Sequence, residues 1–157
     1  KELDRMKREN IRFNTIGRIE DLPKEILALI HDTIEATKNN TGLVLTLALS
    51  YGSRKEILEA VKKTAAKVRD GKLRVEDIDS LEFESQLYTH DLPEPDLLIR
   101  TSGEMRISNF LLYQIAYTEL HFTNVLWPDF SEDDLLKAII DFQGRERRFG
   151  LIKEQIA

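Results

Sequence analysis

The residues best suited to chemistry lie between Asp96 and Asn109, DLLIRTSGEMRISN. A short apolar run ends in Arg100. The small residues Thr101, Ser102 and Gly103 follow, then Arg106, then Ser108-Asn109 at the start of an amphipathic stretch. Two guanidiniums, several hydroxyls and backbone N–H groups bared by small side chains make a site for a polyanion, with a diphosphate the best match. If Ser108 opens a helix, the N-terminal end of that helix adds further N–H donors. The plainer readings are an N-cap role for Ser108 and an ion pair between Arg100 and Glu104 or a nearby aspartate.

The elements that must hold these residues follow from spacing. Lys1 to Glu9 reads as the tail of a helix, and Ile11 to Ile16 as a strand closed by Gly17. A helix opens at Leu22-Pro23 and runs to about Lys38, with Ile26, Leu27, Ile30 and Ile34 on one face. After a turn at Asn39 to Gly42, Leu43 to Tyr51 is a nearly continuous apolar strand of the kind buried on both faces. Gly52-Ser53-Arg54 leads to a helix from about Lys55 to Arg69. An acidic region to His90 holds one or two short helices. Asp96 to Ile99 is a strand, Ser108 to Tyr117 a helix and His121 to Leu126 a strand. Ser131 caps a last helix that runs to about Phe149, with Asp133 and Asp134 in its first turn.

Strands alternating with helices imply right-handed crossovers and an α/β fold: a parallel sheet with helices on both faces, in one domain over residues 1–157. Ligands of such sheets sit at the C-terminal ends of strands. Tyr51 to Arg54, Arg100 to Arg106 and Trp127-Pro128-Asp129 all fall there.

Other classes are disfavoured. The net charge is −5, so the broad basic field of a nucleic-acid binder is missing. There is no cysteine, hence no disulfide framework and no thiolate metal site. His31, His90 and His121 lack metal-ligand spacing. No apolar stretch is long enough to span a bilayer. Glu119, on an unbroken helix from Ser108, would sit about 16 Å along the axis from it. The two would then share one diphosphate only if the chain folds back or a second subunit contributes, so Glu119 reads as a salt-bridged carboxylate. Arg145, Arg147 and Arg148 read as cations at a helix C-terminus. Leu43, Leu45 and Leu47 read as core, and a tunnel for a long apolar chain would use the same residue types.

The segment DLLIRTSGEMRISNFLLYQIAYTELHFTNVLWPDF resembles the cis-prenyltransferases, specifically the bacterial undecaprenyl diphosphate synthases. TGLVLTLALSYGSRKEI is similar to their central strand, loop and helix, and RERRFG to their C-terminal end. The resemblance implies a parallel-sheet α/β homodimer that condenses isopentenyl diphosphate units onto farnesyl diphosphate, giving the undecaprenyl diphosphate of a cell-wall lipid carrier. It implies Mg²⁺ as cofactor and a cytoplasmic location, with peripheral contact at the inner membrane face. By position, it implies that Arg100, Arg106 and Ser108 hold the diphosphate of isopentenyl diphosphate. It gives Glu119 a catalytic part in magnesium and substrate positioning. Arg148 and Gly150 match an Arg-x-Gly end that reaches into the partner's site, and Leu43, Leu45 and Leu47 would line the product tunnel.

The sequence departs from that pattern in three ways. The family's Asp-Gly-Asn-x-Arg block, which binds Mg²⁺ and the allylic diphosphate, is absent. Ser50-Tyr51-Gly52-Ser53-Arg54 stands for the usual Asn-Tyr-Gly-Gly-Arg, and Met105 for a frequent histidine. The expectation is therefore a C-terminal part of the catalytic domain, inactive alone. The alternative is a non-catalytic partner subunit of a heteromeric enzyme.

Overall fold

The computed structural model describes residues 2–146. The chain divides into two compact units, Lys1–Leu92 and Pro93–Ala157. Each contains a two-stranded parallel sheet.

In the first unit, α1 (Glu2–Arg8) precedes β1 (Arg12–Ile16), α2 (Lys24–Thr37), β2 (Val44–Ala48), α3 (Ser53–Arg69) and α4 (Ser80–Glu84). Strands β1 and β2 pair in parallel, Arg12 with Val44 through Ile16 with Ala48. The apolar face of α2 packs on this sheet through Ile30, which is buried with Phe13 and Ile16. A polar link fixes the contact: the buried Thr37 hydroxyl accepts the Phe13 N–H at 3.1 Å and donates to the Thr33 carbonyl at 2.9 Å. Gly17 closes β1 at φ +103°, and a Cβ there would lie 2.2 Å from the Leu49 carbonyl oxygen. Only glycine fits.

The apolar strand expected over Leu43 to Tyr51 is shorter, and it is not buried on both faces. Leu43 lies outside it and is 66% exposed, and Leu47 is 41% exposed. Neighbouring strands cover only a strand's edges, and its faces are buried by what packs on them: α2 packs on β1, and Leu47 opens onto a groove between α1, α2 and the sheet.

In the second unit, β3 (Leu97–Arg100) pairs in parallel with β4 (Glu119–Phe122), Leu97 with Glu119 through Arg100 with Phe122. The α5 helix (Glu132–Gln143) follows. Ser131 caps it in a reciprocal capping box with Asp134, as its sequence signature suggested. The helix ends at Gln143, short of the expected Phe149, and residues 147–157 lie outside the described part.

The helix expected over Ser108 to Tyr117 does not form; the segment is a series of turns. Ser108, Asn109 and Leu111 take positive φ of 54°, 61° and 46°. Left-handed residues interrupt the i to i+4 ladder, and a Ser-Asn pair favours local turns over helix. Two corrections follow. Ser108 is not an N-cap, and no helix dipole stands behind it. The last strand also starts earlier than His121 and so includes Glu119.

Candidate active site

Arg100 is the last residue of β3. The chain turns sharply after it, with Ser102 at φ +66° and Gly103 at φ +68°. The Ser102 N–H donates to the Val125 carbonyl at 2.8 Å, and the Gly103 N–H to Thr123 at 2.9 Å. In return the Thr123 N–H donates to the Arg100 carbonyl at 2.9 Å. The loop is thus stapled to the segment after β4. This corrects the expectation that the Ser102 and Gly103 amides face a ligand, because both are spent on the fold. Gly103 holds a φ of +68° that strains a side chain, and a Cβ there would press to 2.9 Å on the movable Asn124 Oδ1.

The staple leaves the arginines as the anion-binding groups. Arg100 and Arg106 line one cavity of about 280 Å³ with Leu98, Ile99, Ile107 and Phe110. Arg100 also borders a second, of about 590 Å³, walled by Trp127, Phe130 and Leu135. The Trp127 ring stacks on Phe130 at 6.3 Å between centroids. Arg106 pairs with Glu104, and this is where the loop carboxylate goes instead of to Arg100. Among the described residues the Arg100 side chain makes no ion pair or hydrogen bond. An unpaired guanidinium between apolar walls suits a ligand with an anionic head and a hydrocarbon body. Ser108 follows Arg106 in sequence but is not among the residues lining either cavity.

Glu119 stands apart. Its register partner is Leu97, whereas Arg100 is opposite Phe122, so Glu119 and Arg100 lie at opposite ends of the strand pair, about 10 Å apart along it. The helix that set Glu119 apart from Ser108 in the sequence is gone, but Glu119 still lies at the far end of the strand pair from Arg100. Arg145 Nη1 donates to Glu119 Oε2 at 2.9 Å and to the Leu120 carbonyl at 3.0 Å. Arg145 Nη2 donates to Asp141 Oδ2 at 2.5 Å, and His121 Nδ1 lies 3.0 Å from the same oxygen. The bonds to Glu119 and then Asp141 raise the Arg145 pKa further. Those from His121 and Arg145 hold Asp141 below the usual carboxylate range. The salt-bridge reading of Glu119 is thereby realised, with a partner that spacing did not suggest. Arg145 four residues after Asp141 was legible as a helical pair; its bond to a strand residue was not.

The described residues hold no group of three or more histidine, aspartate or glutamate side chains able to enclose a metal ion. The donor set fits a magnesium ion that arrives with a diphosphate, because such ions take one or two protein carboxylates and complete their shell with phosphate oxygens and water. The resemblance points to Glu119 for such a carboxylate, and Arg145 here occupies one of its two oxygens. Arg148 and Gly150 lie outside the described residues.

In the first unit, an apolar groove of about 450 Å³ runs between α1, α2 and the sheet, lined among others by Met6, Phe13, Ile26, Leu29, Leu47 and Leu49. Leu47 is the one expected tunnel residue on it; Leu43 and Leu45 are not. At the C-terminal end of β2, sequence reasoning missed a buried carboxyl. Glu56 is 1% exposed. It accepts the Tyr51 hydroxyl at 2.5 Å and the Tyr88 N–H at 2.8 Å. Its only sequence signal was a glutamate one turn into a helix that follows an apolar strand.

The two parallel strand pairs and their helices define an α/β protein, with a cationic and apolar pocket at the C-terminal end of a strand. The chain belongs to the family described as "Putative undecaprenyl diphosphate synthase", whose model matches residues 1–150. It is 50% identical over 155 residues to an isoprenyl transferase of Geobacter sulfurreducens, covering 99% of this chain and 63% of that protein. It is 53% identical over 142 residues to an isoprenyl transferase of Bacillus thuringiensis subsp. konkukian, covering 90% and 55%. Among solved structures, lavandulyl diphosphate synthase from Lavandula x intermedia, in complex with dimethylallyl diphosphate, aligns with a TM-score of 0.91 at 42% identity, covering 94% of this chain and 64% of that one. A probable undecaprenyl diphosphate synthase from Campylobacter jejuni aligns with a TM-score of 0.79 at 34% identity, covering 94% and 67%. The chain spans about three-fifths of the length of the curated relatives it matches. Among the described residues, no helix is long and apolar enough to cross a membrane.

Proposed function

We propose that this chain supplies the isopentenyl diphosphate half of a cis-prenyltransferase site, in a protein that extends farnesyl diphosphate to a long polyprenyl diphosphate. The observation that carries the reading is Arg100: a guanidinium at a strand end with no partner among the described residues, sharing a pocket with Arg106. The two arginines bind and orient the diphosphate, and orientation sets the homoallylic double bond against the allylic carbon. Apolar walls exclude water from the electron-poor carbon that forms as the allylic diphosphate departs. Bound magnesium supplies charge neutralisation on the diphosphates. The apolar groove of the first unit is suited to hydrocarbon. Membership of a family with isoprenyl transferases at half identity supports the reaction class.

Glu119 sits at the far end of β4 from Arg100, so we assign it to a diphosphate held by a second copy of the chain, in a homodimer. The test is elongation of farnesyl diphosphate with labelled isopentenyl diphosphate by the whole protein and by its Arg100→Ala form. The reading expects polyprenyl product from the first and at least a hundredfold loss of kcat/KM in the second, as when a charged transition-state donor is removed. Equal turnover by both would overturn it.

A further inference from the structure

Arg145 holds Glu119 more firmly than a surface ion pair requires. One nitrogen, Nη1, bridges the Glu119 carboxylate and the backbone carbonyl of the next residue, Leu120. The other, Nη2, is anchored on Asp141, which His121 also contacts. Both members of the Arg145–Glu119 pair are less than one-third exposed. The guanidinium is therefore fixed by α5 and by the β4 backbone before it meets the carboxylate. It engages only Oε2; among the described residues Glu119 Oε1 has no hydrogen bond. Two carboxylates around one guanidinium leave the cluster negative, so it still attracts a cation.

A planar fork suits this task. It restrains the carboxylate in one orientation while leaving an oxygen available, which a flexible ammonium does less well. Groups that orient a ligating side chain commonly matter about as much as 10- to 100-fold in metal affinity. We propose that Arg145 is the positioning residue for Glu119: it presets the carboxylate so that Oε1 meets the magnesium–diphosphate of the substrate. The inference rests on the reading of Glu119 given above.

The test measures isopentenyl diphosphate binding to the whole protein by calorimetry, in Mg²⁺ and in chelator. The proteins are the parent, Arg145→Ala, Arg145→Lys, Glu119→Gln and the Arg145→Ala/Glu119→Gln double variant. Thermal melting verifies that each is folded. In Mg²⁺, Arg145→Ala and Glu119→Gln each weaken binding about 10- to 100-fold. The double variant is no weaker than Glu119→Gln alone, and Arg145→Lys recovers part of the loss. In chelator all five bind alike, an outcome that a general structural role for Arg145 would not produce. Should Arg145→Ala fail to fold, Arg145→Lys carries the test, with a smaller loss confined to Mg²⁺. Losses that multiply in the double variant, or that persist in chelator, overturn the proposal. So does a large loss in Glu119→Gln with none in Arg145→Ala, which leaves the reading of Glu119 standing. Unchanged binding in Glu119→Gln refutes that reading instead, and the proposal with it.

Discussion

Replacing Glu56 with alanine should be among the most damaging single changes in the first unit. The side chain is 1% exposed and gathers three separate stretches of chain: the Tyr51 loop after β2, α3 itself, and Tyr88 beyond α4. Truncation removes the Glu56 acceptor from the Tyr88 N–H and from the Tyr51 hydroxyl, both part-buried. Each donor deprived of this acceptor costs roughly 1–3 kcal/mol, so the pair costs about 4 kcal/mol with some relaxation. Glu56→Gln keeps the shape and one acceptor, and the Tyr51 hydroxyl can rotate to accept from the amide; the loss of charge assistance costs about 1–2 kcal/mol. Urea unfolding followed by circular dichroism measures both. In melting, about 4 kcal/mol corresponds to a fall of roughly 8–16 °C for a chain of this size. Tyr51→Phe should cost less and add little on top of Glu56→Ala, since both remove one bond. A Glu56→Ala protein within about 1 kcal/mol of the parent, or one no less stable than Glu56→Gln, would refute this reasoning.

Tyr88 is pushed well above its ordinary 10.0, first by burial and then by its bond to Glu59. A raised folded-state pKa means its stabilising effect is complete below about pH 10 and fades as the pH rises further. The parent should lose stability more steeply than Tyr88→Phe in alkaline unfolding, and equal slopes would contradict this. At the other end of the scale, the hydroxyl and N–H of Ser131, followed by Lys137, hold Asp134 below its ordinary 3.8. The stability from the capping box is present at neutral pH and should be lost as pH falls through the acid range below about 4. Ser131→Ala should cost about 1 kcal/mol at pH 7 and less once Asp134 is protonated, because the N-cap bond from the Asp134 N–H survives while the charge-assisted bonds to its carboxylate weaken. A cost independent of pH in acid titration would show that the box is not closed.

Local chemistry made much of the fold readable. Pro23 before a 3.6-residue apolar stripe, Ser131 three residues before Asp134, and Gly17 after an alternating run each announced an element the structure contains. The failures come where tertiary demands outrank periodicity. SNFLLYQIAY carries helical spacing, yet the chain there runs through left-handed turns. The apolar run from Leu43 promised burial on both faces, but exposure depends on what packs on those faces, and no residue in the run encodes that. At the site, Arg100 and Arg106 were legible because an arginine at a strand end has few bland uses. The fate of the Ser102 and Gly103 amides was not, since it turns on Thr123 and Val125, about twenty residues away. The bond from Arg145 to Glu119 was hidden for the same reason.

The account stands most directly on the proposal that Arg100, unpaired among the described residues, receives a diphosphate. Calorimetric titration of this chain with isopentenyl diphosphate, with and without Mg²⁺ and alongside Arg100→Ala, tests it. The account predicts saturable binding that Arg100→Ala abolishes while the protein stays folded. Saturable binding of equal strength in both proteins would contradict it.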